Sequence, residues 1–192
     1  MRDRMMELVT RAIIFAAQAH DGMRRKMSDI PYILHPMEAA AIVGSLTEKQ
    51  EVIAAAALHD VIEDTPVTFE EVVAQFGPRV AALVWSESED KREGLPPEQT
   101  WRVRKEEAIE ILQNTKDPEV KMLYLGDKLA NMRSIYQQWR QEGDAMWQGF
   151  HQTDPAQHGW YYRTIAESIR EFEDTLAWKE YDGLIRAVFE KG

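Results

Sequence analysis

The spacing of apolar residues constrains this chain more than any other feature. Along most of its length apolar side chains recur every three to four residues, which is the period of an α-helix, and runs of alternating β-branched residues are nearly absent. The first such stretch, residues 3–20, places Leu8, Ala12, Phe15 and Ala19 on one stripe. The pattern predicts an all-α protein.

Capping residues divide this pattern into separate helices. Thr47 with Gln50 and Thr68 with Glu71 form capping-box pairs, which predict helix starts. The helix that opens at the first pair is expected to run on into the sequence ALHDVIEDT, residues 57–65. Later helices are predicted at about 79–87, 98–114, 118–141 and 157–190, the last with a break near Asp182 and Gly183.

Length and composition predict one soluble domain that spans residues 1–192. The chain has 44% hydrophobic and 29% charged residues, which is typical of a globular protein. A formal charge of -10 disfavours nucleic acid and anionic membranes as partners, and the absence of cysteine excludes thiolate chemistry. With no secretion signal and no apolar run of about 20 residues, the cytoplasm is the expected location. The oligomeric state stays open.

The stretch ALHDVIEDT gathers ionisable side chains at one helix end. On a helix, His59, Asp60, Glu63 and Asp64 share the sector opposite its apolar residues, which by itself is compatible with a solvated face. The run before it, EVIAAAALHD, is apolar and small enough to be packed on most sides. Buried ionisable groups usually have partners, so a second interpretation is a ligand site.

A divalent metal is the partner that accounts for these groups most simply. His35 stands beside Pro36 at a predicted helix start, and Asp127 interrupts the apolar stripe of VKMLYLGDKLANM one turn before Asn131. Together with His59 and Asp60, His35 and Asp127 make a mixed nitrogen and oxygen set that suits Mn, Fe, Zn or Mg. For Asp127 an exposed carboxylate is the alternative, whereas its neighbour Gly126 indicates close approach of another segment or ligand.

At this point the residues resemble a known family. The order of His35, the pair His59 and Asp60, and then Asp127 is similar to the metal signature of HD-domain phosphohydrolases. More narrowly, four strings resemble the hydrolase domain of RelA/SpoT proteins, over about residues 15–135: AHDGMRRKMSDIPYILHP, ALHDVIEDT, FGPRVAALV and LGDKLANMR. The resemblance implies a single-domain HD-type helical bundle, with residues 136–192 as C-terminal helices of the same domain.

The resemblance also implies an activity. Members of this family hydrolyse the 3′-pyrophosphate of (p)ppGpp, giving GDP or GTP and pyrophosphate, and the chain is similar to their small standalone alarmone hydrolases. Carried over, the family's Mn²⁺ would be held by His35, His59, Asp60 and Asp127, although another divalent metal is compatible. Glu63 and Asp64 match the pair that handles the attacking water. A carboxylate there can accept a proton and orient the nucleophile.

The resemblance implies substrate contacts as well. Arg25 and Lys26 match a basic pair beside the nucleotide base, and Asn131 matches the residue that helps to hold it. A second basic cluster contains Arg102, Arg104 and Lys105. These three are expected to be exposed helix charges that pair with the glutamates that follow them.

Two other functions stay open from the sequence. The chain departs from the family strings at Asp29, Ser88 and Ala130, which touch neither the ligands nor the carboxylate pair but can reshape a pocket. An enzyme on another phosphate ester, such as (p)ppApp, a nucleoside monophosphate or NADPH, is therefore the first alternative. A nucleotide-sensing module without turnover is the second, and it predicts the loss of a ligand or carboxylate that this chain retains.

Overall fold

A computed structural model of the chain describes residues 6–26, 28–92 and 94–190. Within them the all-α prediction is confirmed, since the only extended pairing there is an isolated bridge between Arg24 and Pro31. The helices are α1 Leu8–Ala19, α2 Leu34–Gly44, α3 Gln50–Leu58, α4 Val61–Asp64, α5 Phe69–Phe76, α6 Pro78–Glu87, α7 Pro97–Asn114, α8 Pro118–Glu142, α9 Pro155–Ser168 and α10 Leu176–Phe189, with 3-10 turns at Gly143–Gly149 and Arg170–Phe172. The predicted start of the first helix, residues 3–5, lies outside the described part.

Several predicted helix boundaries are confirmed by their capping contacts. Thr68 and Glu71 form both hydrogen bonds of a capping box at the start of α5. That helix ends at Gly77, whose φ of 90° lies in the region that favours glycine. Asp117 accepts a hydrogen bond from the Glu119 N–H, which satisfies a free donor at the start of α8.

Other predicted boundaries are wrong. Thr47 does not cap α3. Its hydroxyl accepts a hydrogen bond from the N–H of Lys49, and Lys49, the residue directly before the helix, occupies the cap position. The predicted break near Asp182 and Gly183 falls inside α10, and the chain instead turns between α9 and α10. There Thr175 accepts from the Trp178 N–H and starts a new helix.

The chain also bends inside ALHDVIEDT, where one continuous helix was expected. α3 ends at Leu58, a turn carries His59 and Asp60, and α4 then adds a single turn up to Asp64. The four ionisable residues of this stretch therefore lie at and after a helix junction. Their side chains are aimed by the bend as well as by helical spacing.

Small side chains allow α3 to lie at the centre of the protein. Residues 54–57 are all alanine and are at most 1% exposed, and the helix packs against α1, α2, α6 and α8. A helix surface of alanine brings neighbouring backbones close, so side chains at the end of α3 are held near those of α2 and α8.

The helices α2 and α8 approach each other closely at Gly126. A Cβ added at this position would lie 2.6 Å from Cγ2 of Val43 and 3.0 Å from the carbonyl oxygen of Ala39. The close approach predicted from this glycine is confirmed, and the approaching segment is α2. Two turns further along the same side of α8, Arg133 donates to Glu38 of α2 at 3.0 Å and to Glu180 of α10 at 2.7 Å, which links the C-terminal helix to α2 and α8.

This contact predicts opposite effects for two glycine-to-alanine substitutions. Gly126→Ala is expected to lower the free energy of unfolding by about 1–3 kcal/mol, because the new methyl group meets Val43 and the α2 backbone. Gly183→Ala, on α10 with nothing within 4 Å of the added atom, should raise it by about 0.5–1 kcal/mol, because alanine is the better helix former. Urea unfolding followed by circular dichroism measures both, and equal effects would contradict the close approach.

Candidate metal centre and substrate cavity

Four side chains from three parts of the fold converge on one point. His35 comes from the first turn of α2, His59 and Asp60 from the bend after α3, and Asp127 from α8. Nε2 of His35 lies 3.0 Å from Oδ1 of Asp127 and 3.5 Å from Oδ2 of Asp60. Nε2 of His59 lies 3.1 Å from Oδ2 of Asp60 and 3.5 Å from Oδ1 of Asp127, and the two Nε2 atoms are 3.2 Å apart.

These distances are those of ligands to a shared cation. Ligand atoms about 2.1 Å from one ion, at angles of about 90–110°, are separated by about 3.0–3.4 Å. His35, His59 and Asp127 are buried, and their donor atoms satisfy the proximity that a metal ion requires. Oδ2 of Asp60, whose side chain is 15% exposed, lies within 3.5 Å of both histidines and is a fourth candidate donor atom.

Hydrogen bonds outside the cluster orient the donor atoms. Nδ1 of His59 lies 2.8 Å from the carbonyl oxygen of Ala56, which can only accept, so Nδ1 carries the proton and the lone pair of a neutral ring sits on Nε2. Lys128 donates to Oδ2 of Asp127, and Asn131 donates to Oδ1 at 2.6 Å. Asp127 therefore presents one oxygen to the histidines.

The charges of the cluster call for a cation. Burial alone would lower the pKa of His59, but Asp60 and Asp127 raise that pKa well above its usual range. Burial alone would raise the pKa of Asp127, yet Lys128 and the two histidines hold it well below its usual range. Two ionised carboxylates that draw a proton onto a buried imidazole form a site that fits a divalent metal ion.

The predicted carboxylate pair lies beside this cluster. Glu63 accepts a hydrogen bond from the Glu89 N–H at 3.1 Å, and Lys91 contacts Asp64 while its Nζ lies 3.8 Å from Glu63. Burial, with the nearby charges of Glu89 and Asp60, raises the pKa of Glu63 to about 7. A carboxyl group with a pKa near neutrality can exchange a proton with water at physiological pH.

The three predicted base-contact residues form the next part of the cavity. Arg25 donates to the amide oxygen of Asn131 at 3.0 Å, and Asn131 in turn contacts Asp127. Lys26 is exposed at the rim. These residues line one cavity of about 570 Å³ together with His35, Asp60 and Asp127. His59 is not part of the cavity lining, but its Nε2 lies 3.2 Å from that of His35, so the structure brings together every residue that the sequence singled out for the site.

The prediction that Arg102, Arg104 and Lys105 are exposed helix charges was wrong for two of the three. Arg102 pairs with Glu106 at 2.7 Å as expected. Arg104 and Lys105 are not exposed, since only 12% and 19% of their side chains are accessible, and both pair with Glu89 and line the cavity. A signal for this was present, because residues 104 and 105 lie three and four positions after the buried Trp101, on its face of α7.

Sequence reasoning also missed four polar residues around the ligands. Tyr32 contacts Asp60 and Asp64, Lys91 contacts Asp64, and Glu87 lies 3.4 Å from Nζ of the buried Lys128. Burial raises the pKa of Glu87 to about 8, although Lys128 opposes the shift. Tyr32 and Lys128 had a signal, since each is within three residues of a predicted ligand, whereas Lys91 and Glu87 are placed by tertiary packing alone.

Two other histidines have structural contacts. Nδ1 of His20 lies 2.9 Å from the carbonyl oxygen of Ala16, and its ring stacks on Tyr32. His158 packs between Trp101 and Trp147, with Nε2 2.8 Å from the carbonyl oxygen of Gln152. Among the described helices, none has both the length and the apolar character needed to cross a membrane.

Comparisons with known sequences show the family to which the chain belongs. A family profile described as HD domain matches residues 12–152. Guanosine-3′,5′-bis(diphosphate) 3′-pyrophosphohydrolase of Aquifex aeolicus is 38% identical over 130 residues, which are 68% of this chain and 18% of that protein. Bifunctional (p)ppGpp synthase/hydrolase SpoT of Escherichia coli is 36% identical over 129 residues, 65% of this chain and 17% of that protein. The chain thus spans less than a fifth of the length of these relatives.

Two solved structures share the fold over most of their length. One is described as a metazoan ortholog of SpoT that hydrolyzes ppGpp and plays a role in starvation responses. It superposes with a TM-score of 0.74 at 26% sequence identity, and the match covers 95% of this chain and 96% of that one. The other, lmo0812 from Listeria monocytogenes EGD-e, has a TM-score of 0.71 and 32% identity and is covered to 97%, with 84% of this chain. The bundle is therefore a known helical arrangement.

The ligand cluster predicts metal-dependent stability. Adding Mn²⁺ to chelator-treated protein should raise the melting temperature, because a ligand that binds only the folded state stabilises it by about 2.7 kcal/mol at 100 times its Kd. Asp127→Ala removes one oxygen ligand and should abolish the shift. Asp182→Ala, which removes an aspartate paired with Arg186 on α10, is the control and should keep it. Scanning calorimetry measures the shift, and a full shift in Asp127→Ala would contradict the ligand set.

The buried carboxyl group of Glu63 predicts a dependence of stability on pH in metal-free protein. Its pKa is about 7 in the folded protein against a usual value of 4.5, so the folded state binds more protons between these values. The contribution of Glu63 to stability is complete below pH 4.5 and is lost as the pH rises through 7. Relative to wild type, Glu63→Gln should therefore become more stable over this interval in urea unfolding, and a difference that is constant with pH would contradict the shift.

Proposed function

Because the chain belongs to the HD domain family, we propose that it is a metal-dependent hydrolase of the 3′-pyrophosphate of (p)ppGpp, releasing GDP or GTP and pyrophosphate. The observation that carries the proposal is the convergence of His35, His59, Asp60 and Asp127 beside Glu63 and Asp64 in one cavity. The printed activities of its relatives agree with it.

The cavity supports a substrate with phosphates at both ends. Basic side chains line two of its sides: Arg24, Arg25 and Lys26 on the loop after α1, and Lys91, Arg104 and Lys105 on the loop before α7 and on α7 itself. In a protein of formal charge -10 such a concentration of cations is local, and it favours a small phosphate ester over nucleic acid. Arg25 and Asn131, joined by a hydrogen bond, offer a planar cation and an amide to a purine base.

We assign the metal ligands as His35, His59, Asp60 and Asp127, with Mn²⁺ as the proposed ion because imidazole and carboxylate donors together suit it. A divalent cation held there would act as a Lewis acid on a phosphoryl oxygen and lower the pKa of water. In the proposed reaction a water oxygen bonds to the phosphorus next to the 3′ oxygen, the bond from that phosphorus to the 3′ oxygen breaks, and the 3′ oxygen leaves with a proton.

The side chains beside the proposed metal site would transfer protons and align the attacking water. Glu63 can accept the proton of the water, since burial keeps its pKa near 7, and Asp64 lies one residue further along the same turn. Lys91, which contacts Asp64, balances charge on the carboxylate pair. The proposal includes a single domain in the cytoplasm and neither nucleic acid nor a membrane as partner.

A substrate panel tests the proposed function. With Mn²⁺ the purified protein should release pyrophosphate from ppGpp faster than phosphate or pyrophosphate from ppApp, a nucleoside monophosphate or NADPH. Asp127→Ala should be inactive, and Glu63→Gln should lower kcat by about 10²–10⁴-fold, which is the usual contribution of a general base. Asp182→Ala is the active control.

Other results of the panel would support one of the alternative functions or refute the ligand assignment. If ppApp, the monophosphate or NADPH is turned over faster than ppGpp, that compound is the preferred substrate and the assignment of the active site is unchanged. Binding without turnover of any substrate would favour the sensing module. Activity of Asp127→Ala equal to that of wild type would refute the ligand assignment.

A further inference from the structure

We propose that Tyr32 is a positioning residue, whose single hydroxyl orients both Asp60 toward the metal ligands and Asp64 toward the attacking water. This inference rests on the proposed function for the role of Asp64, and on the ligand cluster alone for the role of Asp60. It begins with two contacts of one atom: the Tyr32 hydroxyl lies 2.8 Å from Oδ2 of Asp60 and 2.5 Å from Oδ2 of Asp64.

The contact with Asp60 acts on the oxygen that faces the cluster. Oδ2 of Asp60 is the same atom that lies 3.1 Å from His59 and 3.5 Å from His35. In the described part of the chain, Tyr32 is the only hydrogen-bond donor outside those histidines that Asp60 contacts. Without the hydroxyl, the carboxylate of Asp60 would have no donor of the protein to fix its rotation once both histidines bind a metal, and only the metal would hold it.

The contact with Asp64 is the more sheltered of two. Lys91 contacts Oδ1 of Asp64, but 42% of the Lys91 side chain is exposed, so water and salt weaken its hold. The hydroxyl of Tyr32 holds the other oxygen, and only 20% of the Asp64 side chain is exposed. Both oxygens of Asp64 therefore have a partner, one the lysine and the other the phenol.

The ring of Tyr32 is itself fixed on three sides. It stacks on His20 with centroids 5.0 Å apart, meets His35 edge-on at 6.1 Å, and has the Arg25 guanidinium 5.6 Å from its centre. Its backbone N–H donates to the carbonyl oxygen of Met23 at 3.0 Å. The hydroxyl is thus placed by the basic loop that carries Arg25, which connects the substrate side of the cavity to both carboxylates.

A phenol has one proton, so Tyr32 serves both carboxylates by sharing that proton between the two oxygens or by donating it to each in turn. Removing the hydroxyl removes both contacts, whereas phenylalanine keeps the ring and its packing. The inference therefore predicts two separable losses in Tyr32→Phe, one in metal binding through Asp60 and one in the chemical step through Asp64.

The first experiment measures metal binding without substrate. Titration of Mn²⁺ followed by electron paramagnetic resonance should show a Kd about 10–100-fold higher in Tyr32→Phe, the usual effect of losing a partner of a metal ligand. Tyr181→Phe is the matched control, because its buried hydroxyl makes one 3.1 Å hydrogen bond to the carbonyl oxygen of Tyr162 and none to a proposed ligand. It should bind Mn²⁺ like wild type.

The second experiment measures turnover at saturating Mn²⁺. Tyr32→Phe should lower kcat by about tenfold or more and change KM by less than about threefold, since the hydroxyl acts on alignment and not on substrate binding. In an Asp64→Asn background the same substitution should lower kcat by less than about threefold, because the group it orients has changed, while its effect on the Kd for Mn²⁺ persists.

The outcomes separate this inference from the proposed function. If wild type turns over no substrate, the proposed function fails, and the Mn²⁺ titration still decides the role of Tyr32 toward Asp60. Wild-type Kd and kcat in a folded Tyr32→Phe would overturn the inference. Loss of the fold in Tyr32→Phe would also overturn it, because phenylalanine keeps the ring contacts and the role of Tyr32 would then be structural.

Discussion

The distance between α2 and α8 is the constraint on which the site depends. At Gly126 the two helices approach so closely that any added side chain would meet Val43 or the α2 backbone. The next residue, Asp127, is brought within 3.0 Å of His35 by that approach. The ligand geometry is therefore set by helix packing, and the core and the metal centre cannot vary independently of each other.

Burial of charge is the second condition that shapes the site. Charges alternate through the interior from Lys128 to Asp127 and then to the histidines, and Glu87, whose pKa burial raises to about 8, lies 3.4 Å from Lys128. An isolated buried charge is costly, so each of these groups depends on the next one for its ionised form. Lys128 donates a hydrogen bond to one oxygen of Asp127, and the other oxygen faces the histidines.

Much of this arrangement could be predicted from the sequence, and the failures have physical causes. Local capping identified α5 and α8, and the ordered motif residues identified side chains that the fold brings together. The bend at His59 was not predictable from periodicity, because the apolar pattern continues across it. The burial of Arg104 and Lys105 depends on Glu89, a loop residue whose position is fixed only by tertiary packing.

Glu89 has a consequence for how tightly the cavity holds charged ligands. Its carboxylate already neutralises Arg104 and Lys105, while its backbone N–H holds Glu63. A phosphate that reaches this wall must exchange with Glu89 for the same two cations, so only the difference between two sets of ion pairs contributes to affinity. A charged ligand at this wall would therefore be held less tightly than by two unpaired cations.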